Sequence, residues 1–110
     1  MLRERISVLV PTLNEEGNVA DLVRRLDVSF RAADIEYEVI FIDDHSTDGT
    51  RAEVEKLSHS YPVSFHLKKG KRGKAHSILE GFDFVRFETI AMIDADLQYP
   101  PEALPEMCAQ

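Results

Sequence analysis

The chain has 110 residues, with 13 Lys and Arg against 20 Asp and Glu, and a formal charge of −7 at pH 7. Hydrophobic residues make up 44% and charged residues 30%, the balance of one ordinary globular domain and not of a disordered chain. The acidic excess argues against a nucleic-acid-binding module, and the single cysteine, Cys108, excludes an internal disulfide framework and a multi-cysteine zinc site. No apolar run approaches the roughly 20 residues that cross a bilayer. No apolar segment of a signal peptide follows Met1-Leu2-Arg3-Glu4-Arg5. These features lead us to expect a soluble cytoplasmic domain.

Ile6-Ser7-Val8-Leu9-Val10 is almost continuously apolar, as a strand buried on both faces would be, and Pro11 is expected to stop it. Asn14-Glu15-Glu16-Gly17-Asn18 supplies turn and capping chemistry for a helix, on which Val19, Leu22, Val23, Leu26 and Phe30 fall on one face. A second strand, Tyr37-Glu38-Val39-Ile40-Phe41-Ile42, runs into Asp43-Asp44. Ser46-Thr47-Asp48-Gly49-Thr50 reads as a turn before a shorter helix with Ala52, Val54 and Leu57. Pro62 precedes a third strand, Val63-Ser64-Phe65-His66-Leu67. A basic loop over residues 68–74 then leads to a helix with Ala75, Ile78, Leu79, Phe82 and Val85 on one face. The fourth strand, Thr89-Ile90-Ala91-Met92-Ile93, ends in Asp94-Ala95-Asp96, and Pro100-Pro101-Glu102 opens another helical turn.

This alternation predicts an α/β fold: a mostly parallel sheet with helices on both faces, forming a Rossmann-like nucleotide-binding unit. Such sheets bind ligands beyond the carboxyl ends of their strands. The polar residues concentrate there: Asn14 and Glu15 after the first strand, Asp43 and Asp44 after the second, Asp94 and Asp96 after the fourth.

In an extended segment Asp94 and Asp96 would point the same way, and a hard divalent cation would relieve their mutual repulsion. Magnesium or manganese suits oxygen ligands and keeps positions for phosphate oxygens, and Gln98 would add an amide oxygen. The plainer reading, a D-x-D that only makes a turn, is outweighed by the two other acidic strand ends. Asp44 is expected to accept hydrogen bonds from a base or ribose, with Ser46 and Asp48 serving the turn. Residues 68–74 carry five cations suited to a diphosphate, but Ala75 stands where a P-loop needs Ser or Thr. A solvated loop is an equally good reading of that run. The four histidines show no ligand spacing, and no G-x-S-x-G supports hydrolase chemistry.

Val10-Pro11-Thr12-Leu13-Asn14-Glu15-Glu16, Ile42-Asp43-Asp44-His45-Ser46-Thr47-Asp48-Gly49-Thr50 and Ile93-Asp94-Ala95-Asp96-Leu97-Gln98-Tyr99-Pro100-Pro101-Glu102 together resemble family 2 glycosyltransferases of the A-type fold. The branch they resemble most is the dolichol-phosphate mannose synthase-like, polyprenol-phosphate glycosyltransferases. The resemblance implies that Pro11, Leu13 and Glu15 line the nucleotide pocket and that Ile42 and Asp44 hold base and ribose. It further implies that Asp94, Ala95, Asp96 and Gln98 form the metal and diphosphate site, with Asp94 and Asp96 catalytic. Leu13 stands where tyrosine is common, and His45 where glycine, asparagine or aspartate is usual.

Family members are longer, and their acceptor-binding half follows the D-x-D strand. The expectation is therefore a donor-binding domain over residues 1–110, incomplete at its C-terminus. The resemblance implies metal-dependent transfer, with inversion, from a GDP- or UDP-linked sugar to a polyprenyl phosphate, with Mg²⁺ or Mn²⁺ as cofactor. The chain would be cytoplasmic, or peripheral at the cytoplasmic membrane face. Its fourth strand, left as an uncovered edge, invites self-association. A nucleotide- and metal-binding fragment without turnover is the alternative. A phosphatase ranks last, because such enzymes place D-x-D on the first strand.

Overall fold

The computed structural model describes residues 4–70, 72–97 and 100–105. Four strands, β1 (Arg5–Thr12), β2 (Glu36–Asp43), β3 (Val63–Leu67) and β4 (Thr89–Met92), form one sheet in the order β3-β2-β1-β4. Every pairing is parallel, with Thr12 opposite Asp43 and Leu9 opposite Met92. Helices α1 (Val19–Ala32), α2 (Thr50–Leu57) and α3 (Lys74–Gly81) connect them, with short 3₁₀ turns at Phe82–Phe84 and Pro101–Ala103.

The faces follow the alternation of the strands. Ile6, Val8 and Val10 of β1 and Tyr37, Val39 and Phe41 of β2 pack with Val19, Leu22, Leu26 and Phe30 of α1 and Val54 and Leu57 of α2. Leu9, Ile40 and Ile42 lie on the other face, with Ile78 of α3 and Val85 packed on them. The order β1, β2, β3 advances one way across the sheet and the step to β4 goes back. Crossovers of one hand therefore require α3 on the opposite face.

Three local expectations need correction. β1 runs through Pro11 to Thr12. Leu9 directs its carbonyl to the β4 side, where it accepts from Ile93 N, and Thr12 directs its carbonyl to the β2 side, where it accepts from Asp44 N. The missing donor of Pro11 thus falls on the β4 side, just past the last paired residue, where it breaks no ladder bond.

The apolar stripe expected on the third helix is buried only in part, through Ile78 and Val85. Leu79 is 61% exposed and Phe82 45%, whereas Ser77 and Gly81 are buried. α3 is held close to the sheet by small residues: a Cβ on Gly81 would lie 3.0 Å from a methyl of Leu9 and 3.3 Å from Ile42. Finally, Asn18 makes no side-chain cap for α1. The polar side chains before that helix are used elsewhere. β4 is an edge among the described residues, with Ile90 and Met92 exposed.

Gly81→Ala is expected to lower stability by about 1–2 kcal/mol, because Leu9 and Ile42 are themselves wedged in the core. Gly17→Ala, with nothing within 4 Å of the added carbon, is expected to be neutral or to stabilise by up to ~1 kcal/mol. Urea unfolding of the two variants checks this, and a Gly81→Ala midpoint at or above the wild-type value would show that α3 is not so tightly seated.

Candidate functional site

A cleft of about 150 Å³ opens at the carboxyl ends of β1, β2 and β4. Pro11, Leu13, Glu15, Asp44, Asp94, Ala95 and Asp96 all line it, so the three sequence clusters meet in one place. They do so because β4 pairs with β1 at the point where the strand order reverses.

The first two clusters form a single scaffold. Asn14 adopts a left-handed backbone, φ 55°, which aspartate and asparagine tolerate better than other side chains. Its Oδ1 accepts from the amides of Thr47 (2.8 Å) and Asp48 (3.3 Å), and its own amide donates to Ser46 Oγ (2.8 Å). Glu15 N donates to Thr50 Oγ1 and Glu16 N to Asp48 Oδ2. The turn residues of the second loop therefore hold the first loop in place.

Asp48 also accepts from the amide and hydroxyl of Thr50, at 2.9 and 2.5 Å, meeting the start of α2 as expected. The Thr50 hydroxyl bond, above all, holds the Asp48 carboxyl below its ordinary value of 3.8. A depressed folded-state pKa contributes stability above the unfolded value and loses it as pH falls through the folded one.

Asp43 and Asp44 have different surroundings, and Asp43 joins the turn that the sequence reading assigned to Ser46 and Asp48. Asp43 is 2% exposed and accepts from Thr12 Oγ1, Ser46 N and Ser46 Oγ, so it builds the turn. Asp44 lines the cleft. Its Oδ2 accepts from Gly73 N at 3.3 Å and lies 3.8 Å from Lys68 Nζ, while its buried Oδ1 has no hydrogen-bond partner among the described residues.

The third cluster is a turn, not the extended segment expected: β4 ends at Met92, and Leu97 is left-handed at φ 64°. Ala95, 1% exposed, packs in the core with Ile93 and Leu104. Asp94 and Asp96, on either side of it, both still line the cleft.

One predicted residue is not at the cleft. Ile42 is 1% exposed in the small core under α3. Gln98 lies outside the described residues, as does Cys108. Three lining residues escaped the sequence reading: Thr12, Gly73 and Ser77. Thr12 could have been found from its place opposite Asp43. Gly73 and Ser77 carried only the signal of a glycine-bearing loop opening a helix.

The basic loop is organised from within. Glu80 accepts from the amides of Lys69 (2.8 Å) and Gly70 (2.7 Å). These bonds, the Lys69 amide first, depress its carboxyl below the usual range. Among the described residues no group of three or more His, Cys, Asp or Glu is arranged to hold a metal unaided.

A sequence model of the family described as Glycosyl transferase family 2 matches residues 7–110. The chain belongs to glycosyltransferase family 2. It is 33% identical over 103 residues to a dolichol-phosphate mannosyltransferase of Pyrococcus furiosus, covering 94% of this chain and 29% of that protein. Among solved structures it resembles the mannosyltransferase PcManGT of Pyrobaculum calidifontis in complex with GDP-Man and Mn²⁺, with TM-score 0.78 and 28% identity. That match covers 94% of this chain and 31% of the other. S. aureus TarS 1-349 in complex with UDP-GlcNAc matches with TM-score 0.70 and 27% identity, over 96% of this chain and 30% of the other. The chain thus spans about three tenths of the length of these relatives.

In this family 2 chain, His45 occupies a left-handed position, φ 61°, which explains why small or Asx residues suit it. A hydrogen bond between its Nε2 and the Lys68 carbonyl, at 2.9 Å, offsets part of the strain.

Asn14→Ala is expected to cost about 2–3 kcal/mol, from left-handed strain together with two amides losing their acceptor. Asn14→Gly, which restores the backbone freedom alone, should recover about 1 kcal/mol of that in urea unfolding. Equal losses for the two would show that strain plays no part. Asp48→Asn should flatten the fall in melting temperature below about pH 4. An unchanged acid limb would show that Asp48 does not contribute to it.

Proposed function

We propose that this chain binds a nucleotide-linked sugar in the cleft and supports its transfer, with inversion, to a polyprenyl phosphate. The observation that carries the reading is the meeting of Asp44, Asp94, Asp96 and Glu15 in one cleft at the strand ends. The names of the relatives support it: a dolichol-phosphate mannosyltransferase, and structures holding GDP-Man with Mn²⁺ or UDP-GlcNAc.

Pro11 and Leu13 would give apolar contact to the base, since Leu13 is 52% exposed at the cleft. Asp44, which lines the cleft, would accept from a base N–H or ribose hydroxyl. Four carboxylates line the cleft, and a cation would offset their charge against that of a bound diphosphate. Asp94 and Asp96 are hard oxygen donors suited to Mg²⁺ or Mn²⁺. Two protein carboxylates suffice, because such ions draw their remaining ligands from phosphate and water. When bound, the ion neutralises the leaving diphosphate as a Lewis acid. A phosphate acceptor is already ionised, its second pKa being about 6, and asks no general base of this chain. The reaction would take place at the cytoplasmic face of a membrane.

A second reading, nucleotide and metal binding without turnover by these 110 residues, is favoured by the share of the relatives that the chain spans. Calorimetric titration with GDP, UDP and their sugar conjugates, with and without Mn²⁺, tests the common step. Metal-dependent binding is expected, reduced at least tenfold by Asp96→Asn, the loss of a charged ligand being worth well over 1.4 kcal/mol. Binding untouched by Asp96→Asn would remove the metal assignment. Transfer of radiolabelled sugar to polyprenyl phosphate then separates the two readings.

A further inference from the structure

Of the five cations in the basic loop, the first is not on the surface. The Lys68 side chain is 0% exposed, a state lysine almost never adopts without a partner. Its Nζ donates to the carbonyl of Gly73 at 2.7 Å and lies 3.8 Å from Asp44 Oδ2. Its backbone is committed as well: Lys68 N donates to the Asp43 carbonyl at 2.8 Å, and its carbonyl pairs with His45 Nε2. Gly73 closes the circuit, because its amide donates to the same Asp44 Oδ2 while its φ of 110° suits glycine alone. Both Asp44 and Gly73 line the cleft, and Lys68 stands behind them.

We propose that Lys68 is a positioning residue of the donor site: an internal counter-ion that fixes the Asp44 carboxylate at the cleft and clamps the Gly73 loop to it. This inference rests on the donor-site reading of the cleft. The Asp44 carboxylate presents oxygens that only accept, which selects ligand groups carrying N–H or O–H. The cation also offsets one of the four carboxylates around a cleft proposed to take an anion. Lys68 touches no ligand in this scheme and acts through Asp44.

The test is a double-mutant cycle read in two ways. Lys68→Met, Asp44→Asn and the pair are compared in urea unfolding and in calorimetric titration with GDP and UDP. Lys68→Met is expected to weaken nucleotide binding about ten- to hundredfold, as loss of a group that orients a binding residue does elsewhere. The pair should bind no worse than Asp44→Asn alone. Losses that multiply, or a Lys68→Met chain that binds like wild type, would overturn the proposal.

Lys68→Met leaves a buried carboxylate without its counter-ion, so the pair variant, lacking both charges, should be the more stable of the two. A Lys68→Met chain that fails to fold while the pair folds is the same coupling in stronger form. A pair variant no more stable than Lys68→Met overturns it. Hydrogen exchange at the Gly73 amide should quicken in Lys68→Met and not in a Lys69→Met control. If the wild-type chain binds neither nucleotide, the donor-site reading fails by itself. The unfolding cycle and the Gly73 amide then still decide whether Lys68 sets Asp44 and its loop.

Discussion

The site depends on one amide side chain. Asn14 turns the backbone into the left-handed region immediately after β1, and its Oδ1 collects two amides from the loop after β2. Neither half works alone. The left-handed turn reverses the chain so that Leu13 and Glu15 flank the cleft, and the bridge holds that reversal against the Ser46-to-Thr50 turn. A residue that only tolerated the backbone would leave the amides of Thr47 and Asp48 to water. One that only accepted hydrogen bonds would not adopt the backbone cheaply. Asparagine meets both needs. The polar residues of the second loop, which read as an ordinary turn, are therefore part of the first loop's support.

Charge is arranged by depth in the same region. Asp43 and Asp44 are neighbours in sequence, yet strand alternation sends them to opposite faces. Asp43 goes to the side of Thr12, where hydroxyl and amide donors satisfy it completely. Asp44 goes to the side of α3, where a lysine and the Gly73 amide meet one oxygen only. Saturation makes the first carboxylate structural, whereas the second lines the cleft with one oxygen paired. The basic loop divides likewise: Lys68 turns inward to Asp44, while the backbone of Lys69 and Gly70 is held by Glu80.

Much of this was legible in the sequence, and the misses share a cause. The four strands and the meeting of their acidic ends follow from apolar runs and from the rule that parallel sheets bind ligands at their carboxyl edge. Patterns of apolar residues say nothing of small ones, so the seat of α3 on Ser77 and Gly81 was invisible, and the larger Leu79 and Phe82 were read as its buried face. Position in a motif says nothing of depth. Ile42 sits beside Asp43 and Asp44, yet alternation places it in the core. The D-x-D lies in a turn past β4 and not in an extended segment, yet Ala95 packs in the core and both aspartates line the cleft. A lysine within a run of lysines gives no sign that it is the buried one.

The sheet order accounts for the unequal contributions of the strands. β1, β2 and β4 each bring a carboxylate to the cleft at or just past their ends, whereas β3 lies farthest from β4 and brings none. The chain leaving β3 must nevertheless return to β4, and α3 carries it back beneath β2 and β1. That return path takes the loop before α3 past the end of β2, so Gly73 arrives beside Asp44. A loop free to move there would close or open the cleft at random. The bonds from Lys68 to Gly73 and from Lys68 to the Asp43 carbonyl fix it at the one strand end that both loops share. The strand most remote from the cleft thus supplies a wall of it, and a buried cation is what makes that wall stationary.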